Sequence, residues 1–214
     1  MTSEFTRQRF FDHFDVSRET QRSFDLYLDC LQRWNPRINL VSKTTLADTW
    51  HRHFADSAQL YPLIPQNTAH WLDIGVGAGF PGLVIAMIAR DKMPSLRVTL
   101  VESDQRKCAF LRDVARQTET PVTVLSERIE TLKPQNADIL SARALSDLAN
   151  LMEFAEQHRK KSGICLLLKG RTAANELTRA GEDWHMEASV LPSLTDSEAS
   201  VVKIGAFHRV KRSS

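Results

Sequence analysis

The chain has 214 residues, with 28 Lys and Arg against 26 Asp and Glu for a formal net charge of +2, and it is 42% hydrophobic and 25% charged. These proportions exclude a mainly disordered chain and fit one ordinary domain with an appendage. The longest purely apolar run, Leu83 to Ala89, is far too short to cross a bilayer, and the N-terminus is charged from Glu4, so no transmembrane helix or secretory signal is expected. Cys30, Cys108 and Cys165 are widely spaced and form no C-x-x-C pair, which disfavours a disulfide framework and a zinc site and predicts a reducing, cytoplasmic setting.

Up to about residue 66 the chain reads as helical. Phe24, Tyr27, Leu28, Leu31 and Trp34 repeat at helical spacing, which predicts a helix over Arg18 to Trp34, capped by Ser17 and ended by Asn35-Pro36. A second helix is expected over Leu46 to Leu60, and Tyr61-Pro62, Pro65 and Asn67 mark a joint. Residues 1–66 are therefore expected to be a helical extension, and residues 67–214 the main domain.

Beyond the joint, strand and helix patterns alternate. Strands are predicted at Trp71 to Ile74, Arg97 to Glu102, Val122 to Leu125, Asp138 to Ser141, Ile164 to Lys169, Met186 to Leu191 and Val201 to Phe207. Helices are predicted at Gly82 to Arg90, Gln105 to Gln117, Asp147 to His158 and about Ala173 to Ala180. Alternation of this kind predicts an α/β fold with a parallel doubly wound sheet. The last two strands are too close for a crossover helix and should form an antiparallel hairpin at one side. Seven mostly parallel strands with a terminal hairpin are the plan of the Rossmann-like class I methyltransferases.

The most informative segment is WLDIGVGAGFPGLVIAMIAR, Trp71 to Arg90. An apolar strand runs into Gly75, Gly77 and Gly79, then Pro81 and an apolar helix. Glycines there permit positive φ and let a ligand lie against the backbone, while the helix start offers free N–H groups. Gly77 to Gly82 also matches G-x-G-x-x-G, the dinucleotide fingerprint. The acid Asp73 ahead of the glycines, the G-x-G-x-G order and Glu102 closing the next strand favour S-adenosylmethionine (SAM) instead. Asp73 and Glu102 are therefore counted with the glycines as cofactor-binding residues.

LDIGVGAGFPGL, VESDQRKCAFLRDVAR, SERIETL, SARAL and LLLKGR occur in order, preceded by LQRWNPRINLVS and RHFADS. With these motifs the chain resembles the bacterial small-subunit (16S) rRNA guanine-N7 methyltransferases, the glucose-inhibited division protein B family, over nearly its whole length. The resemblance implies SAM as cofactor, and 16S rRNA or the small ribosomal subunit, near the decoding region, as substrate. It places Gly75, Gly77, Gly79 and Phe80 in the SAM loop and Glu102 at the ribose hydroxyls. Ile129 and Glu130 then flank the adenine, and Arg143 stands at the cleft between cofactor and substrate, where it is the expected catalytic residue.

The residues restrict the acceptor atom independently. Ser141-Ala142-Arg143-Ala144 stands where exocyclic-amine methyltransferases carry N-P-P-Y or D-P-P-Y. Carbon-5 pyrimidine methylation needs a cysteine nucleophile, but Cys108 and Cys165 read as small buried hydrophobes. Guanine N7 has an in-plane lone pair and no proton to lose, so in-line positioning suffices. Arg143 should then orient the cofactor or meet guanine O6 and phosphate, without moving a proton.

Basic clusters are expected to hold RNA: Lys203, Arg209, Lys211 and Arg212; His158 to Lys161; Lys169-Gly170-Arg171; and Arg106, Lys107, Arg112 and Arg116 on one helix. Lys169, Arg171 and Arg209, with Arg143, are the expected substrate contacts. His51 and His53 lack zinc spacing, so no metal is expected, and Arg52, His53, Asp56 and Ser57 read as a polar network joining the extension to the cleft. Three other functions fit less well: a small-molecule methyltransferase of this fold, a dinucleotide-binding oxidoreductase, and a non-catalytic SAM-sensing RNA-binding module. Nothing in the sequence demands more than a monomer.

Overall fold

The computed structural model describes residues 5–210. Helix α1 (Arg7–Phe14) starts at Thr6, whose hydroxyl accepts from Arg9 N, and buries Phe10, Phe11 and Phe14. Helix α2 (Arg18–Ile38) starts as expected, with Ser17 accepting from Thr20 N, but it does not stop at Asn35-Pro36. Pro36 lies in the last turn, where its missing N–H forgoes a single helical bond. The end is set by Asn39 in the left-handed conformation (φ 48°), while the Asn35 side chain accepts from Val41 N.

The single helix expected over Leu46 to Leu60 is broken into pieces. Ser42 caps α3 (Lys43–Ala47), a π-helical segment follows at Trp50–Ala55, and one α-turn, α4, covers Asp56–Ala58. Wide turns of this kind inside helices commonly accompany functional sites, and this one carries Arg52 and His53.

A seven-stranded sheet follows: β1 (His70–Ile74), β2 (Arg97–Val101), β3 (Thr123–Leu125), β4 (Ala137–Arg143), β5 (Arg159–Lys169), β6 (Trp184–Pro192) and β7 (Ser200–Arg209). Their order in the sheet is β3-β2-β1-β4-β5-β7-β6. The first five run parallel; β7 enters antiparallel between β5 and β6, so the expected terminal hairpin is present. Helices α5 (Gly82–Lys92), α6 (Gln105–Gln117), α7 (Leu148–His158) and α8 (Ala173–Ala180) connect the strands. Pro81 is the residue before α5 and not its first member.

Every residue of β1 is buried, as a central parallel strand should be. Helix α5 is buried all round from Gly82 to Ala89 because it is packed against the sheet on one side and against α2 and α4 on another. One apolar cluster consequently runs from Phe10, Phe24 and Phe54 through Phe80 and the α5 side chains to Phe110 and Leu111 of α6. The segment from Phe5 to residue 66 shares the core of the sheet.

Candidate active site

The carboxyl ends of β1, β2 and β4 meet where the strand order reverses on either side of β1, the usual place for a ligand in an open α/β sheet. The turn after β1 is built by glycine. Gly75 takes φ +62°, and a Cβ there would sit 2.4 Å from the Leu145 side chain; Gly79 takes φ +102°, and a Cβ would sit 2.3 Å from the Tyr27 hydroxyl. Tyr27 is fully buried and donates its hydroxyl to Ala78 O at 2.5 Å, so α2 straps the turn from behind. Sequence reading places Tyr27 in an apolar stripe and gives no signal of this contact.

Asp73 is not positioned to touch a cofactor, contrary to expectation. It is fully buried, accepts from Gly82 N with one oxygen and from Ser141 Oγ with the other, both at 2.7 Å, and Ser141 in turn accepts from Trp71 Nε1. It ties the end of β1 to the start of α5 and to β4. Burial pushes its carboxyl up to about 7, against the opposing effect of those bonds and of the Arg143 charge.

Glu102 stands at the tip of β2, accepting from Gly77 N at 2.9 Å and from Asp104 N at 2.8 Å. A carboxylate there, next to the bare Gly75–Gly79 turn, matches the donor-rich ribose of an adenosyl cofactor. Ile129 and Glu130 lie in a 3-10 turn (Ile129–Thr131) beyond β3 on the same edge of the sheet. His158 holds that turn from below through a bond to Ile129 O. The bare turn and the carboxylate fit SAM, which would be held by Gly75, Gly77, Gly79, Glu102, Ile129 and Glu130.

Arg143 ends β4. Its guanidinium lies over the Phe80 ring, Cζ 4.8 Å from the centroid. Nη1 donates to Arg52 O and Asp56 Oδ2, both at 3.3 Å, and Nη2 approaches His53 Nδ1 at 3.1 Å. The His53 ring is parallel to Phe80 at 4.8 Å, and Tyr27 stacks on Phe80 at 5.5 Å. The Phe80 ring is thus occupied by protein neighbours, which leaves its backbone for a ligand. Burial and the charges of Arg143 and Arg52 pull His53 down to about 3, so the imidazole is neutral. The expected network of Arg52, His53 and Asp56 is present and converges on Arg143, but Ser57, expected with them, is buried and its hydroxyl finds no partner among the described residues.

Ala144 follows in the left-handed conformation (φ 51°), a strained choice for a non-glycine residue. Beside it opens a cavity of about 460 Å³ lined by Arg52, Arg143, Leu145, Lys169 and Asp196. Lys169 is pinned at its wall, donating to Ser146 O and Glu176 Oε2. Arg171 stands near the rim, paired with Glu198.

Arg209 does not join them. It pairs with Trp184 at the far end of β7, on the edge of the sheet opposite to the carboxyl ends, where it binds Glu153 and Glu156 and covers the Trp184 ring. A charge committed to two acids and an indole is a poor RNA contact. The 158–161 cluster lies on that same far edge: His158 and Arg159 are buried and Lys160 pairs with Asp138. Lys211 and Arg212 lie outside the described residues. All three cysteines are buried and free, and Cys108 and Cys165 are core residues as expected. Among the described residues no group of three or more His, Cys, Asp or Glu could hold a metal ion, and no helix is long and apolar enough to cross a membrane.

A glycine turn after the first strand, an acid at the tip of the second and the 3-2-1-4-5-7-6 strand order define a class I SAM-dependent methyltransferase. Solved structures agree on the fold: a SAM-dependent methyltransferase from Aquifex aeolicus has a TM-score of 0.54 at 13% identity, covering 72% of this chain and 90% of that one. A precorrin-6y C5,15-methyltransferase from Geobacter metallireducens reaches 0.51 at 16% identity over 78% and 92% of the two chains. The chain belongs to the rRNA small subunit methyltransferase G family, whose sequence profile matches residues 20–202. Proteins named ribosomal RNA small subunit methyltransferase G are 51% identical in Paramagnetospirillum magneticum, over 91% of this chain and 92% of that relative, and 45% identical in a Ruegeria species, over 92% and 95%.

Proposed function

We propose that this protein methylates N7 of a guanine in 16S rRNA, near the decoding region of the small ribosomal subunit, in the bacterial cytoplasm and as a monomer. SAM supplies a methyl group on a positively charged sulfur. The observation that carries the choice of N7 is the chemistry of the cleft: the histidine there is neutral and too weakly basic to accept a proton near neutral pH, and the cysteines are buried in the core. Such a site suits an acceptor with a free lone pair and nothing to deprotonate.

The protein's own residues then have two tasks. The glycine turn with Glu102, Ile129 and Glu130 holds the cofactor, and the cavity beside Arg143 receives the guanine in line with the methyl group. Arg143 offers its remaining N–H groups to guanine O6 or a phosphate at the cavity mouth. Arg171 near the rim adds a phosphate contact, and Lys169 shapes the wall.

The test is rRNA from a strain deleted for its own enzyme and complemented with this chain, cleaved at N7-methylguanine and read by primer extension. A stop at a decoding-region guanine is expected with the wild type and should be lost with Arg143→Ala. No stop with the wild type would reject the proposed reaction, and full methylation by Arg143→Ala would reject the role of the arginine.

A further inference from the structure

The reaction asks nothing of His53 as a base, yet its imidazole does more than fill space. The residue is 6% exposed and lies parallel to Phe80. Arg143 has only donors to offer, so Nδ1 must accept and the proton sits on Nε2. That Nε2–H is buried and finds no acceptor among the described residues. A phenylalanine could stack on the same ring without the unpaired ring N–H, but it would remove the acceptor for Arg143 Nη2. The imidazole thus carries one buried donor without a partner and one acceptor committed to Arg143.

What it provides is a third point of attachment for Arg143. Arg52 O and Asp56 Oδ2 both hold Nη1, which leaves the guanidinium free to pivot about that atom. His53 holds Nη2 and fixes the plane over Phe80. The π-helical segment and the turn after it deliver all three acceptors, from residues 52, 53 and 56, to one side of the chain.

We propose that His53 is a positioning residue for methyl transfer: a neutral imidazole that sets the angle of the Arg143 guanidinium, leaving Nε–H and the second Nη2–H for the bound substrate or cofactor. The proposal rests on Arg143 acting at the methyl-transfer cleft.

The experiment compares wild type, His53→Phe and His53→Asn in the full chain, using labelled SAM and unmethylated small ribosomal subunits, with melting temperatures alongside. His53→Phe should melt close to the wild-type temperature while kcat falls by about tenfold or more, because the arginine is misaligned. Its KM for SAM should stay within about twofold. His53→Asn, whose Oδ1 replaces Nδ1 as acceptor but which loses the stacked ring, should melt lower and yet recover most of kcat. Activity would then rank wild type, Asn, Phe, while stability leaves Phe close to the wild type and Asn lowest. Activity that follows melting temperature through the three proteins, or an unimpaired His53→Phe, would overturn the proposal. Failure of the underlying assignment looks different: Arg143→Ala would itself be fully active.

Discussion

Replacing Asp73 by Asn should change how the stability of this protein depends on pH. The Asp73 carboxyl is fully buried and raised from 3.8 to about 7. As pH climbs through that window the unfolded chain gives up this proton first, so the folded state loses relative stability, and the loss levels off above about 7. The full shift corresponds to about 4 kcal/mol, of which about 2–3 kcal/mol falls between about pH 5 and about pH 8. His53, lowered from 6.5 to about 3, acts in the opposite sense, since its contribution is lost as pH falls through that range. Comparing Asp73→Asn with wild type cancels the histidine and isolates the carboxyl. The amide keeps an acceptor for Gly82 N but cannot ionise. Denaturant unfolding followed by tryptophan fluorescence at a series of pH values should show the variant gaining about 2–3 kcal/mol on the wild type from about pH 5 to about pH 8. A constant difference across that range would refute the claim that Asp73 is held as a buried, proton-loving strut.

Tyr27→Phe leaves the Ala78 carbonyl without its partner and should cost about 1–3 kcal/mol, lowering the melting temperature by about 2–4 °C per kcal/mol. SAM affinity measured by isothermal titration should fall with it, because the turn loses its strap; an unchanged affinity would show that the turn holds its shape without α2. Arg171→Ala should weaken rRNA binding and reduce the slope of log affinity against log salt by about 1. Arg209→Ala should leave both unchanged, since Arg209 is on the opposite edge of the sheet, and equal effects of the two substitutions would place the RNA elsewhere.

The sheet was legible because its connections are regular. Apolar runs alternate with amphipathic ones from Trp71 to Ala180, and too few residues separate β6 from β7 for a helix. The glycine turn was legible because glycine is the residue that readily takes the positive φ found at Gly75, Gly77 and Gly79. What escaped depends on partners far away in the chain. An acid closing a strand looks alike whether it faces a ligand or, like Asp73, a serine 68 residues later. Arg209 belongs to a basic stretch in the sequence, but its partners Glu153 and Glu156 lie more than fifty positions upstream. Pro36 suggested a helix end because local propensity disfavours proline inside a helix, and the Asn35 and Asn39 caps displaced that end by a few residues. The π-helical segment has no compositional signature, and its wider turn is visible only in the backbone.

The strap from α2 to the glycine turn also bears on how the chain is made. Tyr27 meets Ala78 across 51 positions, Trp34 meets Asp113 across 79 and Ser23 meets Thr118 across 95. Helix α2 leaves the ribosome before the β1–α5 turn and α6, which complete the cover of Tyr27 and Trp34. Until the β1–α5 turn and α6 have emerged, Tyr27 lacks Ala78 and Phe80 and Trp34 lacks Phe110 and Asp113, so the nascent chain carries part of an apolar helix face uncovered. Folding of this protein is therefore expected to be late and abrupt, waiting for residues near 118 to clear the exit tunnel.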